Sequence, residues 1–235
     1  ARSALGSGTR DAELIAAAGA ISVGVSPAPV SYLAEQLSRW ALLIAIAAAA
    51  KLTGRTKSGF SFGLLDAVTP GVNGTQGRTV EPLSNFAVLR AQQDLRGGNT
   101  GINVIATAVN RSSDDWTSPF LHNSAYAAGA SFRNKFGGGK YEMAASATAS
   151  HVMGSREAIA RTQQNAVHYY QQPGDDHTVD PTRTSLFGHA EQLKFGKYGG
   201  GITRFETSLV RQSAGFEVND LGYLRRADIL NWSTW

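Results

Sequence analysis

The sequence predicts an all-β fold of antiparallel hairpins whose strands are long enough to cross a bilayer. Three observations carry that expectation. From Lys51 to Trp235 the chain runs in segments of roughly ten residues that alternate from one residue to the next, and turns rich in Gly, Asn and Asp separate them. The charged fraction, 17%, lies below the roughly 25% of soluble domains.

The first fifty residues do not alternate. They are Ala-rich, with helical spacing around Ala12–Ala18 and Ser31–Leu43 and a break at the SPAPV run. Arg39 followed by WALLIAIAAAA has the charged, apolar and small-residue order of a secretory leader, yet it sits inside the chain. Residues 1–46 are therefore expected to be a separate segment, helical or disordered, and residues 47–235 the β domain. The first Met is Met143, so a fragment is expected.

In the β domain, Phe60, Phe62 and Leu64 oppose Ser61 and Gly63, and Leu89, Ala91 and Leu95 oppose Arg90, Gln92 and Asp94. Residues 102–109 are apolar on both faces, which also suits a buried strand of a soluble sandwich. Ala125–Arg133 and Lys140–Val152 flank the turn FGGGK and read as a hairpin. In the second of these, Tyr141, Met143, Ala145 and Ala147 share one face, while Glu142, Ser146 and Thr148 share the other. A tilted strand needs about 9 to 11 residues to cross a bilayer. Residues 155–181 break the rhythm, with helix formers over 156–167 and then turns, and are expected to be an outer loop or a lumen plug. Arg183–Lys194 and Ile202–Leu209 flank GKYGGG, giving eight or nine strands in all.

Four motifs then carry a resemblance: AAKLTGRTKSGFSFGLLDAVT (49–69), VEPLSNFAVLRAQQDLRGGNTGINVIATAVNR (80–111), HYYQQP (168–173) and AGFEVNDLGYLRRAD (214–228). Together they resemble the C-terminal domain of an uncharacterised bacterial family that joins an N-terminal family-nine-type carbohydrate-binding domain to an outer-membrane β-barrel. The resemblance covers residues 47–235 and implies a partial outer-membrane-type barrel. Any sugar-binding activity of that family belongs to the missing partner domain.

In a barrel, charges are tolerated on the lumen face, since Lys or Arg facing lipid at the midplane costs about 2 to 4 kcal/mol. Alternation puts Arg90, Arg133, Arg204 and Glu206 inward, either as a pore lining that selects solutes or as ion pairs that fill the lumen. The acidic pairs Asp114 with Asp115, Asp175 with Asp176, and Glu217 with Asp220 lack calcium-loop spacing and read as solvated loops. The five histidines show no zinc spacing, and no nucleophile elbow occurs. Glu81, Glu142, Glu191 and Glu206 are the carboxylates from which a glycosidase pair would come, with no motif around any of them. Tyr169, Tyr170, Trp232 and Trp235 fit an interfacial aromatic girdle, with sugar stacking or core packing as alternatives.

There are no cysteines and no run of eighteen apolar residues, which excludes disulfides and a helical span. The net charge of +4 is dispersed, unlike a nucleic-acid footprint. The expected function is a non-enzymatic protein of the bacterial outer membrane, with lipid as its partner, carbohydrate as a candidate ligand and no cofactor. The alternative is a secreted soluble β-protein that binds or hydrolyses polysaccharide.

Overall fold

The computed structural model describes residues 47–174 and 177–235, so the Ala-rich segment 1–46, expected to be helical or disordered, lies outside the described residues. In chain order the strands are β1 (Ala48–Arg55), β2 (Phe60–Thr69), β3 (Val72–Asn73), β4 (Thr79–Glu81), β5 (Ser84–Leu95), β6 (Thr100–Arg111), β7 (Ser124–Phe136), β8 (Tyr141–Met153), β9 (Ser185–Lys197), β10 (Phe205–Gln212) and β11 (Ile229–Thr234). Among the described residues one α-helix, α1 (Arg156–Gln164), lies between β8 and β9. Nine strands form one antiparallel sheet in the order β1-β2-β5-β6-β7-β8-β9-β10-β11, with β3 and β4 as a side hairpin. The all-β, antiparallel expectation holds, and the sheet is open, with β1 and β11 at its edges.

Connections alternate in length. At one end short turns close β1–β2, β5–β6, β7–β8 and β9–β10, and at the other end the connections are residues 70–83, 112–123, 154–184 and 213–228. The β7–β8 turn needs its glycines: Gly137, Gly138 and Gly139 all have positive φ (62°, 69° and 79°), a region where a Cβ is penalised.

Unbroken register makes the two faces legible as rows. On one face, here the open face, Leu52, Leu64, Leu89, Ala106, Ala128 and Ala149 are successive partners across six strands. A second row of that face holds Ile102, Phe132, Ala145, Leu193, Leu209 and Trp232. On the opposite, covered face, Ser61, Gln92, Asn103, Ser131, Ser146 and Gln192 form a polar row.

Towards the long connections the covered face turns apolar. Val109, Ala125, Val152 and Leu186 are buried there, with Phe86 against them, and all pack under Ile159 of α1, which is 0% exposed. Burying one such side chain contributes about 1.5 to 3 kcal/mol, which exceeds what an isolated nine-residue helix could supply for itself. Residues 102–109 are apolar on both sides for this reason: Val109 faces the helix, while Ile102 and Val104 face outward. The N-cap Ser155 starts α1, its Oγ accepting from Ala158 N at 3.1 Å and donating to Ser118 O at 2.8 Å. The 213–228 connection folds onto the same face, where Phe216, Leu224 and Ala227 are buried with Val167 and Ala190 beside them.

Candidate functional site

The two covering segments meet over a buried cluster of charge. At the end of β6, Arg111 Nη1 donates to His122 O at 2.9 Å and to Asp220 Oδ1 at 2.5 Å. His122 lies between Asp220 Oδ2, 2.6 Å from Nδ1, and Thr162 Oγ1, 2.8 Å from Nε2. The Thr162 hydroxyl gives its own proton to Ala158 O at 3.1 Å, so Nε2 must be the donor to Thr162. Nδ1 then shares a proton with the Asp220 carboxyl, so both ring nitrogens are engaged.

His168 repeats the arrangement. Nδ1 faces Ala214 O and Nε2 faces Glu217 Oε2, both at 2.7 Å, and the two side chains are 0% and 3% exposed. A carbonyl can only accept, so Nδ1 donates there and the proton between Nε2 and Glu217 is additional. Glu217 is tied on every side: its amide donates to Ser150 Oγ of β8 at 2.9 Å, and its Oε1 accepts from Asn219 N at 2.6 Å.

Burial pushes both carboxyls up, and their partners outweigh it. His168 and the Asn219 amide hold Glu217 below its usual value of 4.5. His122, then Arg111, hold Asp220 below 3.8. Beside the cluster lies a polar cavity of about 380 Å³, lined by Arg111, Phe120, His122, Arg161, Asn219 and Asp220. The Arg161 guanidinium stacks over Phe120 at 4.5 Å.

This arrangement fixes the position of both rings: each nitrogen of His122 and of His168 is bonded within the protein. Among the described residues no three His, Asp or Glu side chains converge as a metal site.

The residues singled out in the sequence lie elsewhere. Arg90, Arg133 and Glu206 belong to the covered face, nearer the short turns. Arg90 bonds Gln92 at 3.2 Å, Arg133 bonds Gly98 O at 3.4 Å, and Glu206 bonds Lys194 at 2.7 Å. Arg204 precedes β10, and its guanidinium caps the Gly201 and Thr203 carbonyls at 2.8 and 3.0 Å, so the alternation starts one residue after it. Glu142 pairs with Lys135 at 3.7 Å and Glu191 with His189 at 2.6 Å.

Two expectations are corrected. Glu217 and Asp220 are not solvated, because histidines and an arginine offset their desolvation. Tyr170 is 5% exposed within the 154–184 connection and is no girdle residue, whereas Trp232 and Trp235 are 75% and 62% exposed. Neither His122 nor His168 was marked by spacing. The signal lay in the motifs: Arg111 ends the second, His168 opens the third, and Glu217 and Asp220 belong to the fourth.

No curated protein and no solved structure matches this chain. A family model does, beginning upstream of the motifs: residues 33–235 match a domain of unknown function, DUF5916, and the chain belongs to that family.

Proposed function

We propose that the sheet is part of an outer-membrane β-barrel, non-enzymatic, with the open face to lipid, the covered face to the lumen, and α1 and residues 213–228 as a plug at the outer end. One observation carries the reading: a largely apolar band on the open face, interrupted at His189, Glu191 and Arg211 and bounded at both ends by aromatic rings. At the short-turn end Phe136, Tyr141, Phe195 and Phe205 form a chain of rings with successive centroids 5.5, 6.3 and 5.7 Å apart. At the other end stand Tyr126 and Phe187, with His151 against the latter at 6.4 Å. On β7, Tyr126 and Phe136 are ten residues apart, about 33 Å at roughly 3.3 Å per residue. A barrel tilt of about 40° converts this to about 25 Å, the height of an outer-membrane apolar band. Alternation of short turns with long connections supports the same reading.

Association with carbohydrate rests on the resemblance and on one feature of the site. The polar cavity presents Arg, Asn and carboxylate groups beside the ring of Phe120, a surface suited to a small polyhydroxylated solute.

The test compares two neighbours on β8. Ala145, between Phe132 and Leu193 on the open face, becomes Arg in one variant, and Ser146 of the covered face becomes Arg in the other. Ala145→Arg is expected to cost about 2 to 4 kcal/mol of assembly in the bilayer and Ser146→Arg much less, read as loss of heat-modifiable gel mobility and of protease protection in outer-membrane fractions. Equal tolerance, or recovery of the wild-type protein from the soluble fraction, would favour the secreted alternative.

A further inference from the structure

One place interrupts the apolar band. His189 and Glu191 of β9 and Arg211 of β10 lie on the open face, with Glu191 and Arg211 as direct register partners. Glu191 is four residues from Phe187 and four from Phe195, at mid-height between the aromatic rows. His189 Nδ1 bonds Glu191 Oε1 at 2.6 Å. Although the Glu191 side chain is 41% exposed, its Oε2 is shielded from solvent and has no hydrogen-bond partner among the described residues. Arg211 likewise has no polar partner among them. Around the three stand Leu193, Leu209, Leu230 and Trp232, exposed by 57, 41, 74 and 75%.

Ionisable groups at mid-bilayer are costly unless polypeptide covers and pairs them. We infer that the β9–β11 sector of the open face is an interface between two copies of this chain within the membrane, Glu191 of each protomer pairing with Arg211 of the other. A second copy is the occupant that the charges specify. The patch carries one carboxylate with an unpaired oxygen, which a turn of the Glu191 side chain would bring to the surface, and one guanidinium with no polar partner among the described residues, and a twofold axis between them pairs both at once. The apolar side chains around them supply the rest of a self-complementary surface. The inference rests on the membrane reading above, because in water the same three groups would simply be solvated.

The native sequence has no cysteine, so single thiols report cleanly. Leu193→Cys in the full chain, in outer-membrane fractions, is expected to give a crosslinked dimer with a short bismaleimide. Val104→Cys, on the same face of β6, is expected to give none. In the Leu193→Cys background, Glu191→Arg alone and Arg211→Glu alone should each lower the crosslinked fraction roughly tenfold or more, since like charges then meet across the axis. Co-expressing those two variants should restore it, because each then meets its opposite in the other protomer, which pairing within one chain cannot achieve. A heat-modifiable, membrane-integrated protein without the Leu193→Cys dimer, or without rescue on co-expression, overturns the interface and leaves the barrel reading standing. A crosslink to a different protein also overturns it. Recovery from the soluble fraction overturns the barrel reading and the interface together.

Discussion

Replacing Gly188 by Ala tests whether residues 213–228 are truly seated on the sheet. Gly188 is buried on the covered face of β9, and a Cβ there would overlap the backbone of Gly215 and Phe216. No side-chain rotation relieves a clash with backbone, so the connection must lift. Lifting exposes Phe216, Leu224 and Ala227, now 5, 6 and 1% exposed. The phenylalanine alone contributes about 1.5 to 3 kcal/mol, so a shift of about 3 kcal/mol toward the lifted state is expected. At about 1.4 kcal/mol per decade this is roughly a hundredfold. Hydrogen exchange by mass spectrometry reads it directly, because the Glu217 amide is bonded to Ser150 Oγ and the Ala227 amide to Val167 O, at 2.9 Å each. Exchange over 213–228 should rise by about that factor while β5–β7 keep their protection. Unchanged exchange at Glu217 and Ala227, or loss of protection across the whole sheet, would refute the reasoning.

Glu217→Leu removes one partner of a buried pair and leaves His168 Nε2 buried without its hydrogen-bond partner, a change worth roughly 1 to 3 kcal/mol. It should lower the denaturation midpoint and loosen 213–228, while Glu142→Leu, at a half-exposed pair, should do neither measurably. The pH dependence has a definite sign. Glu217 and Asp220 are held below 4.5 and 3.8, so their contribution is complete above those values and is lost as pH falls through the lowered ones. Exchange over 213–228 should therefore be flat from neutral pH down to about 4.5 and, after correction for intrinsic rates, rise in more acid solution.

The sheet was legible because its information is local. Tyr141, Met143, Ala145 and Ala147 needed only their own spacing to be placed on one face. The covering segments were not, because their contacts are remote: Arg111 and Asp220 are 109 residues apart, and His168 and Glu217 are 49 apart. No periodicity links such positions, and a carboxylate reads as solvated until its cation is found. Arg204 shows the limit within a strand, since alternation cannot tell the last residue of a glycine turn from the first residue of the strand that follows.

The covered face is two surfaces in series, and this decides what could control passage through a barrel built on it. Near the short turns it carries the polar row from Ser61 to Gln192 and the charges of Arg90, Arg133, Lys194 and Glu206, all on long or flexible side chains. Such groups select by field and leave room for water. Near the long connections the same face is small or apolar, with Ser150, Gly188 and Ala190 where a large side chain would hold the covering segments off. The covering segments are then anchored by bonds that specify geometry, two histidines with every nitrogen engaged and two carboxylates with every oxygen engaged. A cluster so fully bonded cannot yield by small steps, because losing one member strands a buried charge. If the proposed barrel is correct, the charged rows would be suited to discriminate among solutes and the covering segments to admit or refuse them, with Gly188 and the Glu217–His168 pair as the positions where mutation would separate the two roles.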